Sequence, residues 1–260
     1  MIGAIAGDII GSRFERHNYT KKDFELFDKW CRFTDDTVLT CATAHALLTD
    51  RDYAKAYRNF FAKYPERGYG PLFKQWAGGS IKEPYHSIGN GSAMRVGPIG
   101  WAFDTLDEVL TEARRSAEVT HNSPEGIKGA QAVAAAVFLS RQGHDKDGIR
   151  KFVTEEFGYD LIFTIDWIRG KYRFDATCDG SVPQAIVAFL ESESFEDALR
   201  NAVSIGGDSD TIAAITGSIA EAFYKCIPIN IVQQTNERLD NFLGEVLQKF
   251  QAKFSQSINA

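Results

Sequence analysis

The sequence predicts an all-α protein on three observations. Apolar residues recur at three-to-four spacing along most of the chain, no stretch alternates convincingly as a half-buried strand would, and glycine and proline gather in the connections. Tyr53, Tyr57, Phe60, Phe61 and Tyr64 mark one helix, and Leu106, Val109, Leu110, Ala113 and Ala117 mark another. "SPEGIKGAQAVAAAVFL" (123–139) opens with Ser and Pro, a good cap and first-turn pair, and continues as an Ala-rich helix suited to close packing. Phe195, Ala198, Leu199, Ala202 and Val203 define a further helix, as do Leu239, Phe242, Leu243, Val246 and Phe250. The connections are read at "GYGPLFKQWAGGS" (68–80), "SIGNGSAMRVGPIG" (87–100) and "CDGSVP" (178–183).

No segment has linker composition and no repeat array marks a boundary, so residues 1–260 are expected to form one domain. Hydrophobic residues make up 44% and charged ones 25%, an ordinary globular balance. A net charge of −6 without any Lys/Arg run argues against a nucleic-acid groove. "MIGAIAGDIIG" is apolar but lacks a basic flank and is interrupted by Asp8, so it reads as neither a signal peptide nor a membrane span. Cys31, Cys41, Cys178 and Cys226 are scattered with no CxxC pair, which suits reduced thiols of a cytoplasmic protein. Cys41 and Cys226 fall in helical patterns and are expected in the core.

"FTDDTVLT" (33–40) sets two carboxylates side by side at a helix start. Thr34 can cap that helix, and Asp35 and Asp36 suit the positive end of its dipole. "GGDSDTIAAI" (206–215) repeats the composition with Asp208, Asp210 and Thr211 ahead of another apolar helix. If these acids converge they repel unless cations neutralise them, and an oxygen-only set suits a hard metal, magnesium first and manganese or calcium next. "GDIIGSRFE" (7–15) adds Asp8 and Glu15, with glycines that suggest a turn; taken alone, Glu15 reads more readily as a solvated loop acid. In "HSIGNGSAMR" (86–95), Gly89, Asn90 and Gly91 can take positive φ and offer an anion nest or simply make a tight turn. Ser87 and Arg95 would add phosphate donors to such a nest. His121, just before a helix N-terminus, is either a local cap or a phosphate contact.

Taken together and in order, "GDIIGSRFE", "FTDDT", "SIGNGSAMR", "THNSPEGIKGA", "GSVPQAI" and "GGDSDT" resemble the ADP-ribosylglycohydrolases, over residues 1 to 225. The resemblance implies an orthogonal all-α bundle with a binuclear magnesium cleft. It implies metal ligands at Thr34, Asp35 and Asp36 and at Asp208, Asp210 and Thr211, and an acid at Glu15 that reaches the metal or the scissile ribose. It places Ser87, Ile88, Gly89, Asn90 and Gly91 on the diphosphate and ribose, with His121 beside the diphosphate. Ile88 departs from the aromatic residue that serine-linkage hydrolases carry there.

Hydrolysis at a ribose anomeric carbon fits these residues. Asp35 or Asp36 can orient or deprotonate a water, and nearby negative charge favours an oxocarbenium-like state. The expected substrates are ADP-ribosylated protein side chains, with arginine favoured, or a small conjugate such as O-acetyl-ADP-ribose, with ADP-ribose itself as ligand. A terpene-synthase-like diphosphate site would want another acid where Leu39 stands. A non-catalytic ADP-ribose binder would have lost an acid ligand, and none is missing.

Overall fold

Gly3, Gly7 and Gly11 recur every four residues, so in a helix they share one face. In the computed structural model, which describes residues 1–15 and 17–254, they do so on α1 (Ile2–Gly11), all of whose residues are buried. The chain continues through α2 (Asp35–Leu48), α3 (Tyr53–Lys63), α4 (Pro71–Ala77), α5 (Gly91–Met94), α6 (Ile99–Ala102), α7 (Leu106–Glu118) and α8 (Pro124–Arg141). It ends through α9 (Lys146–Phe157), α10 (Ile165–Ile168), α11 (Cys178–Leu190), α12 (Phe195–Ile205), α13 (Ser209–Tyr224), α14 (Ile229–Glu237) and α15 (Asn241–Phe254). Among the described residues there is no strand; the only extended pairing sets Gly89 opposite Thr177. The all-α expectation holds.

The centre of the bundle is the crossing of α1 on α13. A Cβ on Gly7 would fall 2.8 Å from the Ala214 nitrogen, and one on Gly11 would fall 2.6 Å from the Asp210 Cα. Only glycine lets the two backbones touch at this distance, and the crossing brings the start of α13 against the end of α1. Around it pack α2, α8, α11 and α12, whose inward residues Val38, Leu39, Val133, Val137, Ile186, Phe189, Leu199 and Val203 are fully buried or nearly so.

The helices read at 53, 106, 123 and 195 appear where the periodicity puts them, each N-capped by the side chain of Asp52, Thr105, Ser123 or Ser194. Some local readings change. "CDGSVP" opens α11 instead of connecting two elements: the Thr177 hydroxyl accepts from the Gly180 nitrogen, and Pro183 sits inside the helix. Its missing N–H falls opposite the carbonyl of exposed Asp179, which solvent can satisfy. The glycines at 7 and 11 serve helix packing rather than a turn. Cys41 is buried in α2 as expected, but Cys226 lies beyond the end of α13 and is exposed.

Candidate active site

Two helix N-termini meet at the end of α1. Thr34 is extended and its hydroxyl accepts from the Asp36 nitrogen at 3.3 Å, so Asp35 and Asp36 occupy the first turn of α2 as the sequence predicts. That turn is anchored by Asp8, fully buried on α1. Its Oδ2 accepts from the nitrogens of Thr34 (2.9 Å) and Thr37 (3.1 Å), and its Oδ1 from the Thr34 hydroxyl (2.7 Å); the Thr37 hydroxyl donates as well. The sequence by itself assigns Asp8 no role. The available signal was a charged residue in an otherwise apolar helix, which must be paired if buried.

The second N-terminus follows Gly206 (φ 84°) and Gly207 (φ 68°), where the Asn18 side chain accepts from the Gly207 nitrogen at 3.0 Å. Residues other than glycine rarely adopt such backbone. This turn delivers Asp208, Asp210 and Thr211, all buried, to face Asp36. The Thr211 hydroxyl lies 3.5 Å from the Asp36 carboxylate. Carboxylate oxygens of Asp8, Asp36 and Asp210 lie within 4.8 Å of one another, as do those of Glu15, Asp208 and Asp210. Two acidic triads therefore share Asp210. Asp35 belongs to neither; its nitrogen donates to the Arg67 carbonyl at 2.7 Å, and its carboxylate lies against Gly68 on the cleft wall.

The electrostatics of this cluster are unfavourable by themselves. Burial, then the charge of Asp8, raises Asp35 to about 8, and burial with Asp8, Asp35 and Asp208 lifts Asp36 well above the carboxylate range. Burial with Asp208, Asp36 and Asp8 does the same to Asp210. Asp36 Oδ1 is buried with no hydrogen-bond partner. An orphaned oxygen among mutually repelling carboxyls, with two threonine hydroxyls alongside and no Cys or His, is a donor set fitted to a hard cation. Asp8 fits that role less well than the others, because both its oxygens are already occupied by the α2 turn.

A cleft of about 350 Å³ opens over the acids. Asp35, Asp36, Asp208, Asp210, Thr211 and Glu15 form one wall, and Ser87, Gly89, Asn90, Gly91, Arg95 and His121 lie across it. The 89–91 loop differs from the expected nest, since neither glycine has positive φ. Instead the Asn90 nitrogen donates to the Ala176 carbonyl (2.8 Å), the Gly89 nitrogen to the Ser87 hydroxyl (3.1 Å), and Gly91 begins α5. The glycines make room for a side chain: a Cβ on Gly91 would stand 3.1 Å from His121 Nε2. The Asn90 amide donates to Asp208 (2.7 Å) and Ser181 (2.8 Å), tying the loop to the acid wall. Ile88 is exposed and does not line the cleft, and Arg95 is fully buried beneath the loop rather than presented on it. A second recess, lined by Arg32, Glu66 and Arg67, shares Glu15, Asp35, Gly68 and Asp210 with the cleft.

The chain matches the family model described as ADP-ribosylglycohydrolase over residues 1–256. It is 27% identical to the ADP-ribosylhydrolase ARH3 of Homo sapiens, over 86% of this chain and 84% of that protein. It is 28% identical to the ADP-ribosylarginine hydrolase Tri1 of Pseudomonas putida (strain GB-1), over 66% of this chain and 46% of that one. A solved structure titled ADP-ribosylglycohydrolase-related protein complex superposes with a TM-score of 0.72 at 23% identity, covering 98% of this chain and 97% of the other.

Proposed function

The chain belongs to the ADP-ribosylglycohydrolase family and is a glycosyl-bond hydrolase, and from that premise we propose that it removes ADP-ribose from modified protein side chains, arginine foremost, with magnesium at the acid cluster. The observation that carries this reading is the pair of acidic triads sharing Asp210 on one wall of a cleft whose other wall offers His121 and the 87–91 loop. Asp36, Asp208 and Asp210, with the hydroxyls of Thr34 and Thr211, would hold the cations; Asp8 keeps the α2 turn in place for them. When bound, two magnesium ions, or manganese in their stead, supply a grip on ribose hydroxyls and a lowered pKa for a bound water.

The remaining steps belong to the protein. Asp35, on the cleft wall but outside both triads, orients the attacking water and takes its proton. Without metal, burial and the neighbouring acids raise its carboxyl to about 8; cations bound at the cluster would favour its ionised, proton-accepting form. The surrounding carboxylates favour the positive charge that develops on the ribose as the bond breaks. The loop at 87–91 and His121 hold the diphosphate, and Glu15 supplies a proton where the leaving atom is oxygen. A guanidine leaves protonated without help, which favours the arginine linkage. The test is hydrolysis of peptides ADP-ribosylated on arginine or serine, and of O-acetyl-ADP-ribose, with magnesium and after exhaustive chelation. Fastest turnover on arginine, lost on chelation, is expected. Turnover of none of the three would overturn the substrate class, and full activity without metal would overturn the cation assignment.

A further inference from the structure

Arg95 is a large, fully buried cation with no ion-pair partner. Among the described residues no carboxylate lies within 4.0 Å of its guanidinium, and its Nε and Nη1 have no hydrogen-bond partner. Nη2 donates to the Ser116 carbonyl (3.1 Å) and to the Thr120 hydroxyl (2.9 Å), and the guanidinium lies over the Tyr57 ring at 4.0 Å. An unpaired buried charge costs a fold stability, so its presence points to use at a site. The site is close at hand: Arg95 lines the cleft, and Thr120 Oγ1 lies 2.7 Å from His121 Nδ1.

The proton positions follow from donor chemistry. Arginine only donates, so its bond takes one lone pair of the Thr120 hydroxyl. Of the two hydrogen-bond partners of the Thr120 hydroxyl, Arg95 Nη2 and His121 Nδ1, only the imidazole nitrogen can accept its proton. The single Thr120 proton is then directed at Nδ1, which leaves the His121 proton on Nε2. That nitrogen faces Gly89 and Gly91 across the cleft and makes no bond to the protein among the described residues. Burial, then the Arg95 charge, holds the imidazole neutral.

We propose that Arg95 and Thr120 are positioning residues for anion recognition: the chain Arg95–Thr120–His121 fixes His121 as an Nε2–H donor and sets an uncompensated positive charge beneath the diphosphate. This rests on the assignment of the cleft to ADP-ribose made above. Its consequence is selective: the chain acts on ligands that carry phosphate and is indifferent to the nucleoside.

The experiment measures binding of ADP-ribose, ADP and adenosine to the full protein and to Arg95→Met, Thr120→Val, Thr120→Ser and His121→Ala. Nitrogen-15 NMR of the histidine ring is recorded on the same samples. Wild type should show His121 with its proton on Nε2. Thr120→Val should weaken ADP-ribose and ADP by about tenfold and Arg95→Met by about tenfold or more, as for loss of a charge-assisted hydrogen bond, while adenosine is unchanged. Thr120→Ser should restore both binding and the ring signature. A proton on Nδ1 in wild type, or equal losses for adenosine and ADP-ribose in Thr120→Val, would overturn the proposal. If His121→Ala weakens ADP-ribose but Arg95→Met and Thr120→Val do not, the chain is refuted and the cleft assignment stands. If His121→Ala changes nothing, that assignment fails.

Discussion

Replacing Gly11 by Ala separates the geometry of the site from the stability of the fold. A Cβ at Gly11 would lie 2.6 Å from the Asp210 Cα and 2.7 Å from its nitrogen, where ordinary contact begins near 3.4 Å. Backbone must therefore move by about 0.8 Å, the difference between 3.4 and 2.6 Å, and the backbone that moves carries a residue shared by both acidic triads. Misplacement of catalytic geometry by about 1 Å costs on the order of a hundredfold in rate. Overpacking costs about 1–3 kcal/mol, and the better helix propensity of Ala returns up to about 1 kcal/mol. A melting temperature lowered by roughly 2–8 °C follows for a chain of this size. Gly3→Ala is the control: its Cβ would meet α13 just as closely, 2.8 Å from the Glu221 Cβ, but at the far end of the same crossing. The assay is single-turnover release of ADP-ribose beside melting curves for both variants. Similar melting losses with a hundredfold slower reaction only in Gly11→Ala are expected. Equal rates in the two variants would refute the claim that the crossing sets the position of Asp210.

Asp36→Asn and Asp210→Asn should each lower turnover by about a hundredfold or more, while the metal-free proteins melt no lower than wild type because a repelling charge is gone; normal turnover in either would remove that residue from the cation site. The metal-free protein should lose stability as pH rises from about 4 to 8. Asp35 is raised from 3.8 to about 8 in the fold, so across that window the native state holds a proton that the unfolded chain has released, and stability falls until the native carboxyl ionises too. Melting curves across that range should show the fall, and magnesium should flatten it; a slope of opposite sign would contradict the shift. Gly91→Val should weaken ADP-ribose binding by about tenfold or more by pressing on His121 Nε2, read by calorimetry, and unaltered affinity would show that the close approach is not needed.

The sequence disclosed most of the acid cluster because its members stand at helix starts, where capping and dipole preferences make them conspicuous. Thr34, Asp35, Asp36, Asp208, Asp210 and Thr211 come from two such segments, and the periodicity of the following residues announces the helices. What stayed hidden depends on contacts between distant segments. The role of Asp8 appears only once α2 is laid over α1. The glycines at 7, 11, 89 and 91 look alike in sequence, yet the first pair admits a helix backbone and the second admits an imidazole. Arg95 beside "GNG" reads as a surface phosphate ligand until its burial is seen. Pro183 argues against a helix in sequence, yet six residues into α11 it is tolerated, the carbonyl left without a partner belonging to exposed Asp179.

The glycine crossing also orders the making of the protein. α1 is buried along its whole length and its partner, α13, begins only at residue 209, so the earlier helix waits for one made much later. Long-range pairing of this kind brings its reward only after a large loop has closed, which slows folding and leaves the early helix exposed meanwhile. The acid cluster cannot come into being on a partial chain, since Asp8 and Asp210 meet only in that final pairing. A nascent polypeptide short of α13 therefore carries the 87–91 loop without the assembled acid cluster.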